Sequence, residues 1–325
     1  MLIDKFGREI NYLRLSVTDR CNLRCSYCMP EHQQFLSRNE VLSYEEIIFL
    51  INALAGNGIT KVRITGGEPF VRKDLPSLLE QMSSIKTLET LSITTNGVLT
   101  GRYIDQLLRC NITHVNLSLD TLRKDRFFKL NRRDEFEAVF ASLQILMQNP
   151  FDLKLNMVVM DSMNIDELYD FVELTRDSNI SIRFIEEMPF NGQGNAYSGI
   201  KWNYDAILHH IGQRYNLTKL SDPKHNIALN YKANDFAGSI AVIPAYSRTL
   251  CGSCNRLRIT PTGGMKLCLY GNDVLNVRDL IRSGITEQEL IETIQQAIVL
   301  KPLNGFEAAA MKEAGKYESM SLIGG

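Results

Sequence analysis

The sequence predicts an α/β fold: an open, partial barrel of six strand–helix units, with a smaller C-terminal α+β module covering its open side. Three observations carry this. Strand-like and helix-like patterns alternate six times before residue 190. The unusual residues (grouped cysteines, paired glycines, an Asn-Gly turn) fall just past strands, where the strand ends of a β/α barrel converge on one mouth. After a Gly- and Asn-rich stretch at 191–199 the alternation gives way to a mixed pattern.

Residues 10–17 read as the first strand, with Leu13, Leu15 and Val17 on one face. Ser43-Tyr-Glu-Glu46 reads as a capping box. Ile47, Ile48, Leu50, Ile51 and Leu54 then mark a helix ending near Gly56 and Gly58. Residues 61–65 form the second strand, and Asp74 is expected to cap a helix with Pro76 in its first turn. The third strand, 91–95, precedes a helix over 103–108, and the fourth, 114–119, a helix over 135–147. The fifth is 153–160, Asn164 opens a helix to about 176, and the sixth strand is 180–186. Such a series implies parallel strands with right-handed crossovers. Six units fall short of a closed barrel, so the expectation is a partial (βα)6, TIM-like barrel with a wide mouth. A helix over 203–215, a strand over 239–243 and helices over 277–282 and 287–300 read as a separate module. The expected domains are 1–190 and 191–325.

Composition bounds the function. The chain has 325 residues, 44% hydrophobic and 22% charged, with 36 Lys+Arg against 37 Asp+Glu. These proportions belong to a globular protein. A net charge of -1 argues against nucleic acid as a partner but leaves room for a local basic pocket. The longest apolar stretch, 47–56, is too short to span a membrane and carries Asn52. Residues 1–15 lack a signal-peptide core, and a cytoplasmic location is the expectation.

Six of the 7 cysteines form two triplets. Cys21, Cys25 and Cys28 make a C-x3-C-x2-C run, and Cys251, Cys254 and Cys268 a C-x2-C-x13-C run. Such groups in a reducing compartment read as metal or cluster ligands. A structural zinc takes four closed ligands, whereas three thiolates on a [4Fe–4S] cluster leave one iron open. A shared zinc site, or pairing of either triplet with a distant His, remains the alternative. Cys110 reads as a small apolar residue ending a helix. Gly66-Gly67-Glu68 follows the second strand. Its glycines permit close backbone approach of a ligand, and Glu68 can accept from an ammonium. A zwitterionic amino acid could chelate the open iron while its amine meets this turn.

The combination resembles the radical S-adenosylmethionine superfamily. Arg20-Cys21-Asn22-Leu23-Arg24-Cys25-Ser26-Tyr27-Cys28-Met29-Pro30 and Arg63-Ile-Thr-Gly-Gly-Glu-Pro69 are similar to its GTP 3',8-cyclase family, which serves molybdenum cofactor biosynthesis. So are Cys251-Gly-Ser-Cys254-Asn-Arg256-Leu-Arg258 with Cys268, Arg183-Phe-Ile-Glu-Glu-Met188-Pro189, and the ending Gly324-Gly325. The resemblance implies two [4Fe–4S] clusters, on Cys21, Cys25 and Cys28 and on Cys251, Cys254 and Cys268. It implies S-adenosylmethionine contacts at Tyr27, Gly67, Ser118 and Met188. GTP contacts are implied at Arg14, Arg63, Thr94, Lys154, Arg256, Leu257 and Arg258, with Arg256, Arg258, Gly324 and Gly325 needed for catalysis. The implied reaction is that of a lyase. A 5'-deoxyadenosyl radical takes the 3' hydrogen of GTP, the C3' radical closes a ring onto C8, and reduction and protonation give (8S)-3',8-cyclo-7,8-dihydroguanosine 5'-triphosphate. The implied partners are a flavodoxin- or ferredoxin-type electron donor and the cyclic pyranopterin monophosphate synthase that takes the product; a homodimer is compatible. Planar Arg forks suit phosphate oxygens, and Arg256 and Arg258 share one strand face. Rival readings are a peptide-modifying radical enzyme with an auxiliary cluster and a non-catalytic metal-binding or electron-transfer protein.

Overall fold

The computed structural model describes residues 1–190, 200–312 and 318–324. The expected loop at 191–199 and Gly325 lie outside the described residues. Strands β1 (Tyr12–Ser16), β2 (Lys61–Thr65), β3 (Thr90–Thr95), β4 (His114–Ser118), β5 (Asp152–Val159) and β6 (Ser181–Glu186) run parallel and neighbour one another in chain order. Between them lie helices α1 (Tyr44–Gly56), α2 (Leu75–Ser83), α3 (Ile104–Arg109), α4 (Lys124–Asn131), α5 (Phe136–Gln148) and α6 (Leu168–Glu173). The six expected units are present.

Strand periodicity sorts the side chains. Leu13, Leu15, Val62, Ile64, Ile93, Val115, Leu117, Leu153, Leu155, Ile182 and Phe184 are wholly buried in one apolar core with the helices. Their alternates, Arg14, Arg63, Thr94, Asn116, Lys154 and Arg183, therefore face the opposite way, into the barrel lumen. Ser43 starts α1 as its residue pattern requires: its Oγ accepts from Glu46 N (3.2 Å) and Ser43 N donates to Glu46 Oε2 (2.7 Å). Such a cap contributes about 1 kcal/mol.

The segment after 200 adds α7 (Tyr204–Gly212), β7 (Leu217–Lys219), β8 (Leu229–Ala233), β9 (Ser239–Ile243), β10 (Arg256–Ile259), β11 (Gly264–Lys266) and β12 (Asp273–Asn276). Helices α8 (Val277–Arg282), α9 (Glu287–Ile298), α10 (Gly305–Ala310) and α11 (Met320–Ile323) follow. Its strands do not form a separate sheet. β9 pairs parallel with β6, and β10 parallel with β1, giving one 12-stranded sheet in the order β12-β11-β10-β1-β2-β3-β4-β5-β6-β9-β8-β7. The module thus closes the open side by extending both edges of the partial barrel.

Three local expectations need correction. Asp74 precedes α2 but sits in the left-handed region (φ 59°) and makes no side-chain cap. The helix expected from Asn164 is a short 3-10 turn, Ile165–Glu167, followed by α6. Asn164 is spent instead on tertiary bonds, its Nδ2 donating to Asp120 O and Val158 O. Helix α4 was not expected, because its Lys-Asp-Arg-Phe-Phe-Lys-Leu-Asn sequence buries only Phe127, Leu130 and Asn131. Among the described residues no helix is long and apolar enough to cross a membrane.

Candidate active site

Two ends of one lumen carry the two cysteine triplets. The first lies in the loop after β1. Cys254 lies two residues before β10, which is parallel to β1, and Cys268 two residues after β11, which is antiparallel to β10. The second triplet therefore sits at the opposite end of the strands. β1 spans 5 residues between them, roughly 17 Å at ~3.3 Å per residue.

The first loop is held from three sides. Gly67 N donates to Thr18 O (2.7 Å) and Glu68 N to Arg20 O (2.8 Å). A Cβ on Gly66 would lie 2.6 Å from Thr18 O, and one on Gly67 2.7 Å from the Arg20 carbonyl carbon. The paired glycines thus admit the cysteine loop itself against the end of β2, where sequence reasoning expected a ligand to approach. From α4, Asn131 O and Leu130 O accept from Arg24 N (2.9 Å) and Ser26 N (3.0 Å), and Cys25 Sγ donates to Asn131 Oδ1 (3.0 Å). Asn96, past β3, donates to Asn22 Oδ1 (2.8 Å) and to Cys21 Sγ (3.5 Å). Asp19 Oδ2 accepts from Leu36 N (2.7 Å), so Asp19 and Asn22 order the loop.

Glu68 does not point at a ligand. Wholly buried, it accepts from Phe70 N (3.2 Å), Thr95 Oγ1 (2.9 Å) and Asn96 N (2.7 Å). Burial pushes its carboxyl up to about 7 against these donors. Its work is to join the ends of β2 and β3. Glu68→Ala would strand three buried donors, and we expect a loss of about 3 kcal/mol of stability, read as a lower unfolding temperature of the iron-free chain.

Burial, with the Glu68 carboxylate behind it, raises Cys21 to about 11; burial and repulsion from neighbouring thiols raise Cys28 to about 12 and Cys25 well above its usual value. Three such groups ionise together only beside a positive centre. Among the described residues no His, Cys, Asp and Glu side chains converge as they would on a single ion. A cubane differs, taking each thiolate at a separate iron, and the three-thiol donor set is the type that holds [4Fe–4S] clusters. In the second triplet, burial raises Cys251. Burial acts likewise on Cys254, but the charges of Lys301, Arg256 and Arg258 outweigh it and hold that thiol below its ordinary value. Both triplets fit a cluster.

Between the triplets the lumen is lined with cations. Register places Arg14 beside both Arg258 and Arg63, Tyr12 beside Arg256 and Lys61, and Asn156 beside Arg183. Lys61, Arg63 and Arg256 lie 5.2, 5.8 and 5.4 Å from the Tyr12 ring centre. Burial, then repulsion from neighbouring cations, lowers Arg14 and Arg63 and brings Arg183 and Arg258 down to about 10. Lys154 is lowered by burial too, although it pairs with Asp152. Thr94 Oγ1, Asn116 Oδ1, Asn156 Oδ1 and Arg183 Nε are buried without a hydrogen-bond partner among the described residues. Buried like charges and unpartnered polar atoms are costly unless an anionic, polar molecule completes them. Lys61 and Arg183 belong to this ring and were missed as site residues. Alternation carried the signal for Lys61, which shares the β2 face of Arg63, whereas Arg183 is placed in the ring by its pairing beside Asn156.

The expected site residues divide. Arg14, Arg63, Thr94, Lys154, Arg256 and Arg258 share the lumen, and Ser118 continues its face on β4. Leu257 does not: its side chain is wholly buried in the apolar core, and only its backbone follows the lumen edge. The Tyr27 hydroxyl donates to Asp120 Oδ2 (2.8 Å), which fixes the first loop to β4. Met188 packs beside Phe190, Tyr270, Met320, Ile323 and Cys268. The tail enters this cluster. Ser319 Oγ and Met320 N donate to Cys28 O (2.7 and 3.2 Å), and Arg258 Nη1 donates to Gly324 O (2.8 Å). Gly325, expected beside it, lies outside the described residues.

Comparison with known proteins shows the family. Residues 15–175 match the family profile "Radical SAM superfamily", and 180–306 match "Molybdenum Cofactor Synthesis C". A relative in Clostridium perfringens named "GTP 3',8-cyclase" is 39% identical over 92% of this chain and 93% of its own length. The chain belongs to the GTP 3',8-cyclase family of the radical S-adenosylmethionine superfamily. "Molybdenum cofactor biosynthesis protein 1" of Dictyostelium discoideum is 41% identical over 98% of this chain, which spans only 50% of that relative. The chain thus spans about half the length of several curated relatives it matches. Streptococcus suis SuiB bound to S-adenosylmethionine superposes at a TM-score of 0.59 and 17% identity, covering 88% of this chain and 68% of SuiB. That likeness carries the fold.

Proposed function

We propose that this chain is a radical S-adenosylmethionine GTP 3',8-cyclase. The observation that carries the reading is the ring of half-buried cations set between two cysteine triplets. It is a receptacle for several negative charges, closed at each end by an incomplete thiolate cage. Cys21, Cys25 and Cys28 hold the first cluster, and Cys251, Cys254 and Cys268 the second. When bound and reduced, the first cluster supplies an electron that splits S-adenosylmethionine into methionine and a 5'-deoxyadenosyl radical.

The chain's own residues do the rest by placement. Arg14, Lys61, Arg63, Lys154, Arg183, Arg256 and Arg258 bind the triphosphate, with planar guanidinium forks meeting its oxygens. The second cluster, held by Cys251, Cys254 and Cys268, would offer guanine a metal ligand site, and Thr94 and Asn116 offer the ribose polar partners. Tyr27, Gly67, Ser118 and Met188 are the residues that would frame S-adenosylmethionine beside the first triplet. Bound between the two triplets, GTP would offer its 3' hydrogen to the radical and its C8 to the C3' centre that forms. The tail, seated against Cys28 and Arg258, keeps water out. A flavodoxin- or ferredoxin-type donor supplies electrons, a synthase consumes the cyclised nucleotide, and the location is cytoplasmic. Residues 1–190 carry the first cluster and 191–325 the second.

The test is anaerobic. Reduced, cluster-loaded protein is mixed with S-adenosylmethionine and GTP, ATP or a peptide in turn. Only GTP should give a cyclised nucleotide with stoichiometric 5'-deoxyadenosine. Arg256→Ala should keep its iron and weaken GTP binding by about tenfold or more, the loss of one charge-assisted contact. Unchanged GTP affinity in that variant would refute the triphosphate assignment.

A further inference from the structure

Lys301 stands outside every role assigned above. It is 1% exposed, yet among the described residues no carboxylate pairs with it; Lys266, equally buried, pairs with Asp273 and Glu318. Its Nζ donates to Arg256 O (2.8 Å) and to Leu267 O. Arg256 lies two residues past Cys254, and Leu267 directly precedes Cys268. One ammonium therefore ties together the backbones that carry two of the three thiols. Its own segment is clamped in turn. Arg8 donates to Pro302 O (2.7 Å) and Leu303 O (2.9 Å), while its guanidinium pairs with Asp4. An ammonium this deep needs a negative neighbour, and the anionic groups that act on it from its surroundings are Cys254, Cys268 and the already paired Asp4.

We propose that Lys301 is a positioning residue for the cluster held by Cys251, Cys254 and Cys268. It sets the spacing of the Cys254 and Cys268 segments, and its fixed positive charge favours the cluster's reduced, more negative form. This rests on the reading that the second triplet holds a cluster. No bond is made or broken; one electron is added to the cluster, and dithionite supplies it in the test.

The test uses the full chain reconstituted with iron and sulfide, in three forms: unmutated, Lys301→Gln and Lys301→Arg. Gln can donate to both carbonyls but carries no charge, and Arg keeps the charge. The second cluster's reduced-to-oxidised ratio is read by paramagnetic resonance in a dithionite titration. At a fixed potential, Lys301→Gln should shift that ratio about tenfold toward the oxidised form, equivalent to about 59 mV for a one-electron couple. Lys301→Arg should hold the unmutated ratio. A Gln variant indistinguishable from the unmutated chain overturns the proposal, as does an Arg variant shifted equally far. If Gln fails to retain iron at the second triplet, Arg must retain it with the unmutated ratio; loss in both overturns the proposal. Iron content of the unmutated chain is read first. One cluster's worth of iron instead of two would refute the two-cluster reading itself, a result distinct from any effect of Lys301.

Discussion

Gly324→Val is expected to cut turnover by roughly a hundredfold or more while leaving iron content and unfolding temperature unchanged. Gly324 has φ 73°, in the left-handed region that side chains resist. A Cβ there would lie 3.0 Å from Ser16 Cβ and 3.1 Å from Thr65 Oγ1, at the ends of β1 and β2. Valine adds two methyl groups to a contact already tight at the first carbon. The tail would have to lift, and Arg258 would lose the Gly324 carbonyl that now orients it. Arg258 is also one of the proposed triphosphate ligands, so on that reading one substitution removes both the cover and a phosphate contact. The rest of the tail keeps its own anchors, with Glu318 paired to Lys266 and Lys312, which is why folding should survive. Product formation and 5'-deoxyadenosine, measured together, check this. Turnover within about threefold of the unmutated chain, well short of the loss a misplaced site produces, would show that the tail is packing alone.

Arg183→Ala should weaken GTP binding by about ten- to a hundredfold, as expected for one hydrogen-bonded charge worth ~1.5–3 kcal/mol. The nucleotide-free chain should unfold at the same temperature or higher. The Arg183 Nε is buried with no partner among the described residues, and the charges of Arg63 and Arg256 oppose its own. Removing a repelled cation relieves the empty site, whereas removing a core group would weaken it. Stability and affinity thus move in opposite directions, which separates a binding residue from a structural one. Calorimetric GTP binding beside thermal unfolding without nucleotide reads both. A fall in unfolding temperature with unchanged affinity would assign Arg183 to the scaffold.

The β-strand period made most of the barrel legible, because buried parallel strands such as 61–65 keep apolar residues on one face and declare the other by its charges. The same period could have exposed Lys61, which shares a face with Arg63, but Arg183 joins the ring through pairing of β6 with β5. Both went unread because a lone cation on a strand has a common structural use. The edge strands β10 to β12 are short and flanked by cysteines and glycines, so their sequence carries little periodicity. That β10 docks beside β1 is decided by long-range pairing, which local patterns do not encode. Glu68 and the paired glycines were legible as a site but not in their roles. The sequence cannot show that the crowding partner is the Arg20 backbone and that the carboxylate is already filled by Thr95 and Asn96. Helix α4 was hidden by its charge, though Asn131 at its end reaches Cys25.

The most direct measurement follows one atom. Cluster-loaded protein, reduced without oxygen, is given S-adenosylmethionine and GTP carrying deuterium at C3', and the 5'-deoxyadenosine is weighed. The account predicts one deuterium in the methyl group of 5'-deoxyadenosine and a cyclised nucleotide in equal amount. Unlabelled 5'-deoxyadenosine with intact GTP would contradict it, because the cation-lined lumen would then present some other molecule to the radical.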